Sequence, residues 1–119
     1  MKNIYRGIRV ERKLRDILKQ NGFLVIRAAG SGYDTPDLIA MKGGRAVVIE
    51  VKTTKKDAIY FREEQYRSMS QFYQEGFKVI IAVYIRGNFR FYEYRDIVVD
   101  GKYPKLPLDS FYFTDLNSI

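Results

Sequence analysis

Residues 35–52 read Thr35-Pro36-Asp37-Leu38-Ile39-Ala40-Met41-Lys42-Gly43-Gly44-Arg45-Ala46-Val47-Val48-Ile49-Glu50-Val51-Lys52, and the fold turns on them. Two apolar runs, 37–41 and 45–52, flank Lys42-Gly43-Gly44, a hairpin turn by its glycines. The second run carries Val47, Ile49 and Val51 on one face and is apolar enough to be covered on both sides, so it reads as a central strand. Residues two apart in a strand point to the same side. Glu50 and Lys52 therefore stand together, on the face shared with Ala46 and Val48, and counting out from the turn brings Asp37 within reach of both. Each of these also has a plain structural reading: Glu50 and Lys52 as an ion pair at a sheet end, Asp37 as a turn residue behind Pro36.

Upstream, Ile4, Ile8, Leu14 and Leu18 recur at helical spacing over 3–21, with Asn21-Gly22 as the stop. Glu11 falls inside that apolar stripe. A buried carboxylate needs a proton, a partner or a purpose, so Glu11 is either hydrated or paired with a core Arg at the stripe's end, or part of a site. A strand is expected at 23–29, then a turn-rich loop to Pro36. Downstream, a second helix is expected over 58–75, closed by Gly76. Its apolar face is marked by Phe61, Met69 and Phe72, with Gln65 in the middle as either a buried amide serving the backbone or a site residue. Strands at 77–85 and 89–94 follow, and then an irregular tail over 95–119 with an unusually apolar Phe111-Tyr112-Phe113. The order α-β-β-β-α-β-β describes an α/β chain of one domain, 1–119, with a mixed central sheet flanked by helices.

Composition narrows the chemistry. A chain of 119 residues, 46% hydrophobic and 29% charged, is an ordinary globular composition. Its longest apolar runs are too short for a bilayer, and its first residues do not read as a secretory signal, so an intracellular protein without a membrane partner is expected. Cys and His are both absent. That removes the usual zinc sites and Ser-His or Cys-His nucleophiles, leaving carboxylates, Lys, Tyr, Ser or a hard metal held by oxygen. The net charge is +7. All of the excess lies in the first 60 residues, at Arg6, Arg9, Arg12, Lys13, Arg27, Lys55 and Lys56 among others, which suits either a polyanion or a solvated basic face. Glu11, Asp37 and Glu50 with Lys52 lie on elements able to converge at one sheet edge. Such a set suits Mg²⁺ or Mn²⁺, which can polarise a phosphodiester and activate water.

Pro36-Asp37, twelve residues, then Glu50-Val51-Lys52 matches the PD-(D/E)xK signature of restriction-endonuclease-like nucleases. More specifically, the chain resembles the archaeal Holliday junction resolvases. The matching features are Gly7…Glu11-Arg12…Leu14, Gly22-Phe23…Arg27-Ala28-Ala29-Gly30-Ser31-Gly32, Pro36-Asp37-Leu38-Ile39-Ala40, Val48-Ile49-Glu50-Val51-Lys52 and Glu64-Gln65. They span residues 6–86, and nothing beyond about 95 carries a matching motif. The resemblance implies a restriction-endonuclease-like fold and a homodimer that binds four-way junction DNA. It also implies paired symmetric nicks with Mg²⁺, Mn²⁺ substituting, that leave 5′-phosphates, and no small-molecule substrate. It makes Glu11, Asp37 and Glu50 metal ligands, directly or through water, and Lys52 the catalytic lysine. Ser31, between Gly30 and Gly32, would lie in the loop near the scissile strand, and Gln65 would support the site.

Other readings of the same residues are a PD-(D/E)xK enzyme for linear or single-stranded DNA, a DNA-binding protein without catalysis, and, with least support, an RNA-binding module. For a dimer seam the sequence offers two apolar patches: the Phe111-Tyr112-Phe113 tail, and Ile59, Tyr66 and Tyr73 at seven-residue spacing on the second helix.

Overall fold

A computed structural model describes residues 2–28 and 35–119, with residues 2–6 described as backbone alone. Helix α1 (Lys2–Gln20) is followed by β1 (Leu24–Arg27), β2 (Leu38–Lys42), β3 (Arg45–Thr53) and β4 (Ala58–Tyr60). Then come α2 (Glu63–Gln74), β5 (Lys78–Ile85), β6 (Asn88–Glu93) and β7 (Lys105–Pro107). Five strands form one sheet in the order β1-β2-β3-β5-β6, and β4 and β7 form a second, two-stranded one. The hairpin reading of 37–52 holds: β2 and β3 are antiparallel with Lys42 opposite Arg45. Gly43 and Gly44 sit at φ +61° and +77°, the left-handed pair that a two-residue hairpin turn requires.

β3 is the middle strand, and its parallel neighbour β5 is reached by the α2 crossover. Its alternation sorts the core into two layers. Val47 and Ile49 face α1, packing with Leu14, Leu18, Leu38 and Ile80. Val48 faces the other way, with Phe61, Met69, Ile81 and Val83. Among the described residues no helix is long and apolar enough to cross a membrane.

Three expectations need correction. The second helix begins at Glu63, not at 58, because Ala58-Ile59-Tyr60 is a strand that pairs antiparallel with Lys105–Pro107. The tail is accordingly not wholly irregular. Leu106 and Leu108 are buried, the Tyr92 hydroxyl donates to the Leu108 carbonyl at 2.8 Å, and Phe113 bridges Phe91 at the β6 edge. The seven-residue stripe dissolves as well. Ile59 is buried in β4, while Tyr66 and Tyr73 both pack their rings on Tyr94, at 5.4 and 4.6 Å between centroids. Tyr73, Phe111 and Tyr112 stay exposed, and so do Leu24 and Ile26 on the edge strand β1.

Candidate active site

The β2–β3 register ends at Leu38 opposite Ile49. The next backbone donor on β3, the Val51 N–H, would be left without a partner there. The Asp37 carboxylate takes it at 2.7 Å, and the Asp37 carbonyl accepts from the Ala28 N–H at 3.0 Å. Asp37 is thereby fixed between β1 and β3. Glu50 and Lys52 project from β3 toward α2, as the two-residue spacing requires. The Lys52 Nζ lies 3.6 Å from a Glu50 oxygen and 5.6 Å from the centre of the Phe61 ring. Gln65 serves both roles open to it. Its carbonyl accepts from the Arg62 N–H at the start of α2 (3.2 Å), and its amide faces the same Glu50 oxygen at 3.4 Å. Holding the helix end thus orients the amide toward Glu50.

Glu11 comes from α1, with an oxygen 3.2 Å from the Arg27 Nε in a pair that is largely buried. The pairing with an internal Arg is real, yet it does not neutralise the carboxylate. Burial, and next the charge of Asp37, push the Glu11 carboxyl above its ordinary value, outweighing Arg27. Burial raises Asp37 too, against the opposing Val51 N–H. Glu50, 5% exposed, is pushed up to about 8 by burial and then by Asp37. With its carboxyl raised to about 8, the buried Glu50 holds a proton near neutrality beside Asp37.

That proton has a thermodynamic sign. The folded-state value of Glu50, about 8, lies above the ordinary 4.5. Its contribution to stability is therefore fully present below about 4.5 and is lost as pH rises through about 8. Between pH 5 and 9 the ion-free protein should lose up to a few kcal/mol from this group. Glu50→Gln should remove that slope and raise Tm at pH 9 by several degrees. Thermal melts in chelator at pH 5, 7 and 9 check it, and a variant no more stable than the parent at pH 9 would contradict it.

Among the described residues no three carboxylates close into a preformed ion cage. The set instead fits an open site. Mg²⁺ commonly keeps several waters and takes only one or two carboxylates from the protein, and the Asp37–Glu50 pair, its charges set against each other, offers that number. Of the residues singled out in sequence, Glu11, Asp37, Glu50, Lys52 and Gln65 are linked by contact or by electrostatics. Arg9, Arg12 and Lys13 are exposed on α1, and Lys55 and Lys56 are exposed after β3, whereas Arg27 is engaged by Glu11. Gly30, Ser31, Gly32 and the Arg6 side chain lie outside the described residues. Phe61, expected on the core face of the second helix, instead lies beneath Lys52, just before α2 begins at Glu63.

A mixed sheet between two helices, with this acidic pair and lysine at one edge, is the restriction-endonuclease-like class of fold. The chain belongs to the archaeal Holliday junction resolvase (Hjc) family, whose model matches residues 2–103. It is 33% identical to the crossover junction endodeoxyribonuclease Hjc of Sulfolobus acidocaldarius over 103 residues, 82% of this chain and 72% of that one. With the protein of the same name from Methanocaldococcus jannaschii it shares 36% over 93 residues, 76% and 68% of the two chains. The solved structure of Archaeoglobus fulgidus Hjc, a Holliday junction resolvase from an archaeal hyperthermophile, superposes with a TM-score of 0.74 at 29% identity, covering 86% of this chain and 84% of that one.

Proposed function

We propose that the chain is a structure-selective endonuclease that resolves four-way DNA junctions by paired, symmetric, Mg²⁺-dependent nicks leaving 5′-phosphates. The observation that carries this reading is the meeting of Asp37, Glu50 and Lys52 at one sheet edge in a chain of this family. Asp37 and Glu50 are the residues to hold the ion directly, with Glu11 acting through water. When bound, the ion supplies polarisation of the phosphodiester and a lowered pKa for the attacking water. Lys52, kept beside Glu50, puts positive charge where the transition state gains negative charge, and it can hold the water in line. Gln65 keeps the Glu50 carboxyl turned toward Lys52, and the Val51 N–H keeps Asp37 in place. Ser31 is assigned to the strand being cut by its motif alone. Arg9, Arg12, Lys13, Lys55 and Lys56 offer charge to phosphates, so shape rather than base sequence would be read.

The test compares a labelled junction with its matching linear duplex, with Mg²⁺ and with chelator. Cleavage of the junction alone, only with the ion, is expected. Equal cutting of the duplex would mark a nuclease for linear DNA, and tight binding without cutting a non-catalytic protein. Either outcome overturns the proposal.

A homodimer is part of it. A four-way junction is two-fold symmetric and one chain carries one acidic pair, so two nicks call for two copies related by a matching axis. Sedimentation at micromolar concentration should give twice the 14.0 kDa chain mass, and a 14.0 kDa species that still resolves junctions would contradict the dimer. Tyr73→Glu, Phe111→Glu and Leu24→Glu place a charge in each of three exposed apolar surfaces, and the variant that splits the dimer marks the seam.

A further inference from the structure

The positive excess lies in the first half of the chain, but folding brings cations of the second half to the same place. An open cleft of about 930 Å³ begins at Thr54, two residues beyond Lys52. Lys55, Lys56, Arg86, Arg90 and Lys105 line it, against the carboxylates of Asp57 and Asp109. Among the described residues, none of the five cations lies within ion-pair distance of an acid. Arg90 is held in place: its guanidinium stands 4.6 Å over the Tyr112 ring and reaches the Tyr92 hydroxyl, which in turn donates to the Leu108 carbonyl. Lys13 of α1 sits over the ring of Tyr84, another lining residue, so the helix brings one further cation to the edge of the cleft.

Arg86 adds an independent observation. It and Gly87 are the two central residues of the β5–β6 turn, with Ile85 opposite Asn88, at φ +51° and +84°. Both positions of such a turn need the left-handed region, which Asn-Gly supplies with little strain and Arg does not. Strain of this kind persists where something other than local stability holds the residue, and here it sets a guanidinium on the rim of the cleft. The wall formed by Lys105–Pro107, Leu108 and Asp109, with Tyr112 behind Arg90, lies beyond residue 103, where the family match ends.

We propose that this cleft is a second phosphate-backbone site, which the tail helps to wall, holding the DNA arm that leads away from the nicked strand. The proposal rests on the junction-nuclease reading. The charges come from three separate segments of the chain, which suits a row of phosphates better than a single anion, and small-molecule pockets are lined mainly by apolar groups. Three residues of extended chain reach at most about 10 Å, so Lys55 stands within about three phosphate steps of Lys52, at 3.4 Å per charge along one strand.

Arg86→Asn, Lys105→Gln and the pair of them test it, with Lys19→Gln on the far turn of α1 as a control of equal charge. Arg86→Asn should raise Tm by about 2–5 °C as the turn relaxes, while junction affinity falls. Stability and binding would then move in opposite directions, which a purely structural role does not allow. Each change should flatten the dependence of log affinity on log salt by about 0.9, and the pair should weaken binding roughly tenfold. Shortening the junction arms should weaken the parent and leave the double variant little changed. A parent that binds and nicks junctions, with Arg86 and Lys105 variants matching its salt slope and arm-length dependence, overturns the cleft and leaves the nuclease reading intact. A parent that binds no junction overturns both.

Discussion

Asp37→Asn should nick a four-way junction at least about a thousandfold more slowly than the parent, equivalent to about 4 kcal/mol of barrier, while binding it as tightly or more tightly. Asn is the informative substitution because its side-chain oxygen still accepts from the Val51 N–H at the end of the β2–β3 ladder. Ala would orphan that buried donor and confuse a catalytic loss with a folding one. What Asn removes is the charge of Asp37, whose repulsion, after burial, helps push the Glu50 carboxyl up. Relief of that repulsion should leave the protein at least as stable, and removal of a negative charge beside phosphate should favour the complex. Single-turnover cleavage and a binding titration in Ca²⁺ or chelator separate the two. Nicking near the parent rate in Mg²⁺ would show that Asp37 is structural.

Glu11→Gln should lose about 10–100-fold in cleavage, the range for a group that acts on an ion through a second partner, with Tm unchanged or raised. The sign follows from its surroundings. Glu11 has Arg27 at 3.2 Å, yet burial and Asp37 together outweigh that cation and raise its carboxyl. Its charge therefore opposes folding at neutral pH, and Gln can keep the hydrogen bond from the Arg27 Nε without the charge. If Glu11 were held mainly as a structural ion-pair partner, the substitution would lower Tm and spare cleavage. A melt and a rate on the same variant decide between the two.

The centre of this molecule was legible in sequence because hairpin geometry is arithmetic. The two glycines of the turn fix the register, the register sets Asp37 beside Glu50, and the period of two sets Lys52 on the same face. Glu11 and Gln65 were legible as polar residues inside apolar stripes, a conflict that proteins tolerate chiefly where function calls for it. The start of the second helix was not. Ala58-Ile59-Tyr60 joins smoothly to a helical pattern, and what makes it a strand is a partner 47 residues on, Leu106 opposite Ile59, which no local periodicity reveals. The tail was opaque for the same reason: its strand, its bridge to Phe91 and the Tyr112 ring over Arg90 all exist only through distant contacts. The basic cleft was likewise hidden, since Arg86, Arg90 and Lys105 lie in the half of the chain whose net charge is zero.

On the proposed reading, this site cuts DNA because of its four-way shape, twice and symmetrically. The direct measurement is a junction labelled in turn on each of its four strands, incubated with the protein and Mg²⁺, with the products then offered to a DNA ligase. The expected result is one nick in each of two opposing strands, at equivalent distances from the branch point, giving linear duplexes that reseal because each nick carries a 5′-phosphate. Nicks scattered over all four strands, a single unpaired nick, or products that no ligase can seal would contradict it.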